Sequence, residues 1–322
     1  MGFIFRENRE YLRRVFTYII LLGILTWFVI YLFRQKNELT RLGSISISDI
    51  FTISVFVILY KLSNAFMVKK LLQIYEINMS FKEWFGLSSI TTMGNYILPA
   101  KSGIVARAIY MKKKYQFPYS KFTTSYFGMS AFLYFVNAAL GAIFVYVIYL
   151  TTGIFYLRIC LFFIAILLLV GIFMSSWKYL GKIKFWHPTL NSIFLGLNSL
   201  GRQKRFLFVL FLLNLASLGA MATRLFFAYR SLGIHVAPLQ VLMISNILFF
   251  TFLISITPAD LGIREAIIVI TSTILGLRGV DGALVSIIDR GVSVIITFVL
   301  GLIFTTVLLK NLRVDDITRG KR

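Results

Sequence analysis

The chain has 322 residues, 58% of them hydrophobic, with mean hydropathy +0.84 and a formal net charge of +22. Soluble domains are about 45–50% apolar. An ordinary soluble domain is therefore excluded, and the long apolar runs from residue 15 to residue 309 predict an all-α polytopic integral membrane protein. The Lys and Arg residues cluster in short loops, so the charge reports membrane topology and gives no footprint for nucleic acid; attraction to anionic lipid headgroups is the expected secondary effect.

Dyad alternation with turn residues every ~10 positions, the mark of a membrane β-barrel, is absent. Cys160 is the only cysteine, and His187 and His235 lie far apart, so no disulfide framework, metal site or cofactor is expected.

Arg6, Arg9, Arg13 and Arg14 precede the first expected span, Val15–Phe33, which has no evident cleavage site. This places the N-terminus in the cytoplasm. A second span is expected over Ile50–Met67, ending at Lys69 and Lys70. The next apolar stretch, Phe81–Tyr110, is interrupted by Gly94 and Pro99–Gly103. Its arms are short against a hydrocarbon core of about 30 Å, which predicts a re-entrant hairpin returning to the basic side at Lys112, Lys113 and Lys114.

Spans over Phe122–Leu150 and Ile154–Trp177 follow. The stretch Lys178–Arg205 carries six basic residues and no acid, and Leu190–Leu200 within it reads as an interfacial helix. A fifth span is expected over Phe206–Tyr229, a second broken segment over Pro238–Leu277, and a last span over Ala283–Leu309. The basic tail Lys310–Arg322 would again be cytoplasmic. The expectation is one transmembrane domain over residues 1–322, in the cell membrane, with six spans, two hairpins and both termini inside.

The two breaks resemble each other. With an offset of 159 residues, Pro99, Ala100, Gly103 and Ile104 match Pro258, Ala259, Gly262 and Ile263. The unit span–hairpin–span occurs at 50–150 and again at 206–309, entered from opposite sides. Inverted repeats with broken helices near the bilayer midplane are a transporter architecture.

Pro99 and Pro258 remove backbone donors, and Gly103 and Gly262 permit tight turns. Charges flank both breaks: Lys101 and Arg107 after the first, Asp260, Arg264 and Glu265 after the second. A helix start after each turn would offer N–H groups to an anion, and the basic side chains suit a phosphate. Pairing of Arg264 with Asp260 at i,i+4 accounts for the same residues structurally.

Polar stripes at helical spacing run through three spans. They comprise Tyr126, Ser130, Tyr134, Asn137 and Gly141; then Asn214, Ser217, Met221 and Arg224; then Ser286, Arg290, Ser293 and Thr297 with Asp289 beside them. Interhelical packing explains the Ser, Thr and Asn positions. Snorkelling to the interface suits Arg224 better than Arg290. No Ser–His–Asp set, H-E-x-x-H or Walker loop is present, and Asp260 and Glu265 at i,i+5 do not share a helix face.

The phrases NYILPAKSGIVAR (Asn95–Arg107) and PADLGIRE (Pro258–Glu265) resemble the paired signatures of the lysylphosphatidylglycerol synthase transmembrane-domain family, the flippase half of multiple-peptide-resistance proteins. The resemblance covers about residues 15–310. It implies a lipid-handling membrane protein whose motifs lie near a headgroup cavity. The chain departs from the family at Ile104, where members often carry an acid, which removes the usual ground for a charge pair at Arg107. Only Lys310–Arg322 follows the last span, so lysyl transfer by a soluble domain is not expected of this chain.

The resulting expectation is a flippase-like translocase for an anionic phospholipid or polyprenyl-phosphate lipid. Asn95, Lys101, Arg107, Arg264 and Arg290 would contact the anion, and Asp260, Glu265 and Asp289 would balance charge or couple protons. The alternatives are a scaffold or accessory subunit for a lipid-modifying glycosyltransferase, and a membrane enzyme acting on a lipid phosphate.

Overall fold

The computed structural model describes residues 36–97, 102–180, 203–253 and 257–319. The expected first span Val15–Phe33, the interfacial helix Leu190–Leu200, and the residues Pro99 and Lys101 lie outside the described residues. Within them the chain is helical: α1 (Ile47–Gln73), α2 (Phe81–Ile97), α3 (Ser102–Tyr115), α4 (Tyr119–Thr152), α5 (Leu157–Leu180), α6 (Lys204–Ser231), α7 (Pro238–Phe249), α8 (Ile263–Ile274) and α9 (Gly279–Arg319).

The helix ends follow local signals. The Ser46 hydroxyl caps α1 by accepting the Asp49 N–H at 3.1 Å. Gly153, at φ 71°, closes α4 in the left-handed conformation that a residue with a Cβ avoids. The last helix runs past the expected boundary at Leu309 to Arg319, because the charged sequence that follows contains neither Gly nor Pro before Gly320.

Five of these helices are long and apolar enough to cross a membrane: α1, α4, α5, α6 and α9. Their outer faces suit that setting. On α5, Leu168, Leu169 and Ile172 are 60–68% exposed, an apolar surface that in water would drive association and in a bilayer meets lipid tails. The broken segments are shorter. α7 and α8 have twelve residues each, or about 18 Å at 1.5 Å per residue, well below a core of about 30 Å.

Packing is built on close backbone approaches. α1 lies along α6, α2 packs on α9, α7 packs on both α6 and α4, and α8 packs on α9. At the α2–α9 contact a Cβ on Gly86 would sit 2.7 Å from Phe304 Cδ1, and Gly301 faces Met93 in the same way. Small residues let membrane helices approach closely enough for dispersion to hold them. The first hairpin closes likewise: a Cβ on Gly94 would lie 3.2 Å from Gly103 Cα.

Polar side chains join helices where apolar packing cannot give specificity. Asn137 Nδ2 on α4 donates to Asn214 Oδ1 on α6 at 3.1 Å, and Asn246 Nδ2 on α7 donates to the Asn137 carbonyl at 2.8 Å. All three residues are buried. This is the packing role expected for Asn137 and Asn214, and Gly141, from the same stripe as Asn137, receives the Phe163 ring.

A cationic cavity between the broken helices

The second break is a turn that two ion-paired side chains hold. Pro258–Asp260 forms a single 3-10 turn in which Ala259 (φ 48°) and Asp260 (φ 57°) are left-handed, and Gly262 follows at φ 82°. That conformation costs a residue with a Cβ about 1–2 kcal/mol, so surrounding contacts must enforce it. Arg290 Nη1 donates to the Ala259 carbonyl at 2.9 Å, and the Thr257 hydroxyl donates to the Leu261 carbonyl at 2.9 Å. Glu265 Oε2 accepts the Gly262 N–H at 2.7 Å, while its Oε1 lies 3.0 Å from Arg290 Nε. Arg290 and Glu265 thus staple the turn from α9 and α8.

The first break has a parallel cap. Asn95 Oδ1 accepts the Gly103 N–H at 3.0 Å, and the Ser102 hydroxyl reaches the Gly94 carbonyl at 3.4 Å. Each helix start after a break therefore has one N–H satisfied by the chain's own side chain, Asn95 at α3 and Glu265 at α8.

Between the breaks lies a cavity of about 300 Å³. Cations reach it from five helices: Lys61 on α1, Arg107 on α3, Arg224 on α6, Arg264 on α8 and Arg290 on α9. Asp289, buried on α9, serves two of them, with Oδ1 3.0 Å from Arg224 Nε and Oδ2 2.9 Å from Arg264 Nη2. Tyrosine rings cover two guanidinium groups. Arg224 Cζ lies 5.0 Å from the Tyr60 centroid and Arg290 Cζ 5.4 Å from the Tyr96 centroid.

The other two cations are held by hydroxyls. Lys61 Nζ donates to Thr297 Oγ1 at 2.7 Å. Arg107 donates through Nε to Thr91 Oγ1 at 3.0 Å and through Nη2 to Ser88 Oγ at 3.3 Å. Among the described residues neither has a carboxylate in ion-pair range. Four guanidinium donor atoms on three lining residues are buried with no hydrogen-bond acceptor among the described residues: Arg224 Nε and Nη2, Arg264 Nε and Arg290 Nη2.

The structure brings Asn95, Arg107, Asp260, Arg264 and Arg290 together on this cavity, with Glu265 and Asp289 in its wall. It separates their tasks. Asn95, expected to contact an anion, caps α3. Arg264 does not pair with Asp260, because Asp260 sits in the left-handed turn before α8 begins and i,i+4 spacing does not apply there; its partner is Asp289. Arg224 does not snorkel: it is 2% exposed and ion-paired.

Sequence reasoning missed Lys61, Tyr60 and Tyr96. A lone lysine near the midpoint of an apolar span was the available signal for the first. Tyr126, Ser130 and Tyr134 from the α4 stripe and Ser293 and Thr297 from the α9 stripe also line the cavity.

Apolar helices, two broken segments and a polar cavity lined by buried cations define a polytopic membrane protein with ionisable groups gathered in its interior. The chain belongs to the lysylphosphatidylglycerol synthase TM region family, which it matches over residues 15–301. Membership relates it to membrane-lipid function. No curated protein matches the chain significantly.

Proposed function

We propose that the protein is a lipid translocase that binds the phosphate of an anionic lipid in the cavity between its two broken segments and moves it across the cell membrane. The observation that carries this reading is the convergence of Lys61, Arg107, Arg224, Arg264 and Arg290 on one cavity, from both sides of the breaks. Buried cations in a membrane are costly unless a counter-charge offsets them. Guanidinium groups suit phosphoryl oxygens, which they can bind two at a time through charge-assisted hydrogen bonds.

Movement requires a route that opens to each side in turn, and an inverted repeat supplies one. The contact pattern supports two halves, α1–α4 and α6–α9. α1 packs on α6, its own counterpart. The α2–α9 contact is answered by α7–α4, and α1–α2 is answered by α6–α7. In this reading the halves are inverted, the termini are cytoplasmic, and the cavity lies on the axis between the halves.

The test is transport by protein reconstituted into liposomes that carry a fluorescent anionic lipid in one leaflet. Lipid accessible from the other leaflet should rise with time, and Arg264→Ala should slow the rise about tenfold or more through loss of a charge-assisted contact. A protein that neither binds nor moves any anionic lipid, and is unchanged by Arg264→Ala, would sink the reading.

A further inference from the structure

The cavity's charge balance names the kind of phosphate. Glu265 neutralises Arg290. Asp289 is shared by Arg224 and Arg264 and neutralises one of the two. Asp260 adds one negative formal charge to the wall, and among the described residues Lys61 and Arg107 are held by neutral hydroxyls. Counted as formal charges, five cations against three carboxylates, the described residues of the site leave two positive charges in excess.

A hydroxyl orients a cation without offsetting it, and the low dielectric around a buried site makes the remaining imbalance expensive. The group that completes the site is therefore a dianion. The phosphodiester of an ordinary phospholipid carries one charge and two free oxygens. A phosphate esterified once carries close to two charges near neutral pH, with a second pKa of about 6, and three free oxygens.

We propose that the cavity selects a lipid phosphate monoester, an acyl or prenyl chain ending in a singly esterified phosphate, over the phosphodiester headgroups of bulk phospholipids. This rests on the reading of the cavity as a lipid-phosphate site and goes further by fixing the charge of the occupant. Excess cations then discriminate by charge rather than by headgroup shape, which allows selection against a large background of diester lipids in the same bilayer.

The test measures binding to the full chain in nanodiscs of phosphatidylcholine, with three probes: dodecyl phosphate, dodecyl methyl phosphate and inorganic phosphate. At pH 7.5 the monoester is expected to bind at least about tenfold more tightly than the diester, because one more charge faces the same cations. The gap should close as pH falls through about 6 and the monoester takes up its second proton. The diester, titrated alongside, accounts for any titration of the protein.

Arg107→Gln and Lys61→Gln should each narrow the gap at pH 7.5, and Lys61→Arg, which keeps the charge, should preserve it; that variant separates loss of charge from loss of fold. Equal binding of monoester and diester overturns the monoester assignment and leaves the lipid-phosphate reading standing. Binding of neither lipid overturns both. Inorganic phosphate that competes as well as dodecyl phosphate overturns the lipid half of the assignment.

Discussion

At the scale of single residues, Asp289 is the point on which the site depends. It is 1% exposed, and its two oxygens face guanidinium groups from two other helices. Burying such a group is tolerated because the charges compensate one another. Removing one partner leaves the others uncompensated at about 3–5 kcal/mol. Asp289→Ala should therefore lower the thermal unfolding temperature of the detergent-solubilised protein sharply.

Adding Arg264→Ala should recover part of that loss, since it removes one of the two stranded cations. A double variant no more stable than Asp289→Ala would show that Arg264 is not held by Asp289. Such a pairing could not be read from the sequence. Arg224 lies 65 positions before Asp289, and a periodic pattern shows which face a residue occupies but not which distant helix meets it. For that reason Arg224 near a span end looks like a snorkelling side chain, and Lys61 like an isolated impurity in an apolar run.

At the scale of elements, the first hairpin depends on backbone contact at Gly103. A Cβ there would strike the Thr91 carbonyl, with Asn95 Oδ1 2.7 Å away. The first obstacle is backbone within α2, which cannot rotate aside as a side chain can. Gly103→Ala should thus pry α3 from α2 and disturb the Asn95 cap, at a cost of about 1–3 kcal/mol typical of overpacking. The checks are a lowered unfolding temperature and weaker binding of an anionic lipid. Gly153→Ala serves as a contrast, because a Cβ there meets nothing within 4 Å and bears only the strain of its positive φ.

The described helices were largely legible. Their apolar runs and basic loops gave α1, α4, α5, α6 and α9 to within a few residues at most ends, and the Pro–Gly phrases gave both breaks. The local shape of the second break was not legible. Asp is enriched in the left-handed region but Ala is not, so nothing at Ala259 advertises that conformation; Arg290, 31 positions later, holds it through the Ala259 carbonyl. The caps follow the same pattern. Asn95 is eight positions from the N–H it satisfies, outside the usual N-cap spacing.

At the scale of the whole molecule, the contact between α1 and α6 decides whether the protein can work as two halves. In the proposed repeat these helices are counterparts, and they pack along their length. Phe56 on α1 and Phe227 on α6 stack with centroids 6.3 Å apart, and neither ring lines the cavity. If the halves rock against each other about a shared site, as inverted-repeat transporters do, this seam must shear. Phe56→Cys with Phe227→Cys, in a Cys160→Ser background, can be joined by a short bifunctional thiol reagent spanning roughly that gap. The joined protein should still bind an anionic lipid, because the cavity is untouched, while lipid movement in liposomes should fall to background and return when a cleavable linker is cut. Full transport through a seam shown by mass spectrometry to be cross-linked would rule out rocking at α1–α6. The moving part would then be a hairpin, α2–α3 or α7–α8, hinging on its own break against a fixed frame of long helices.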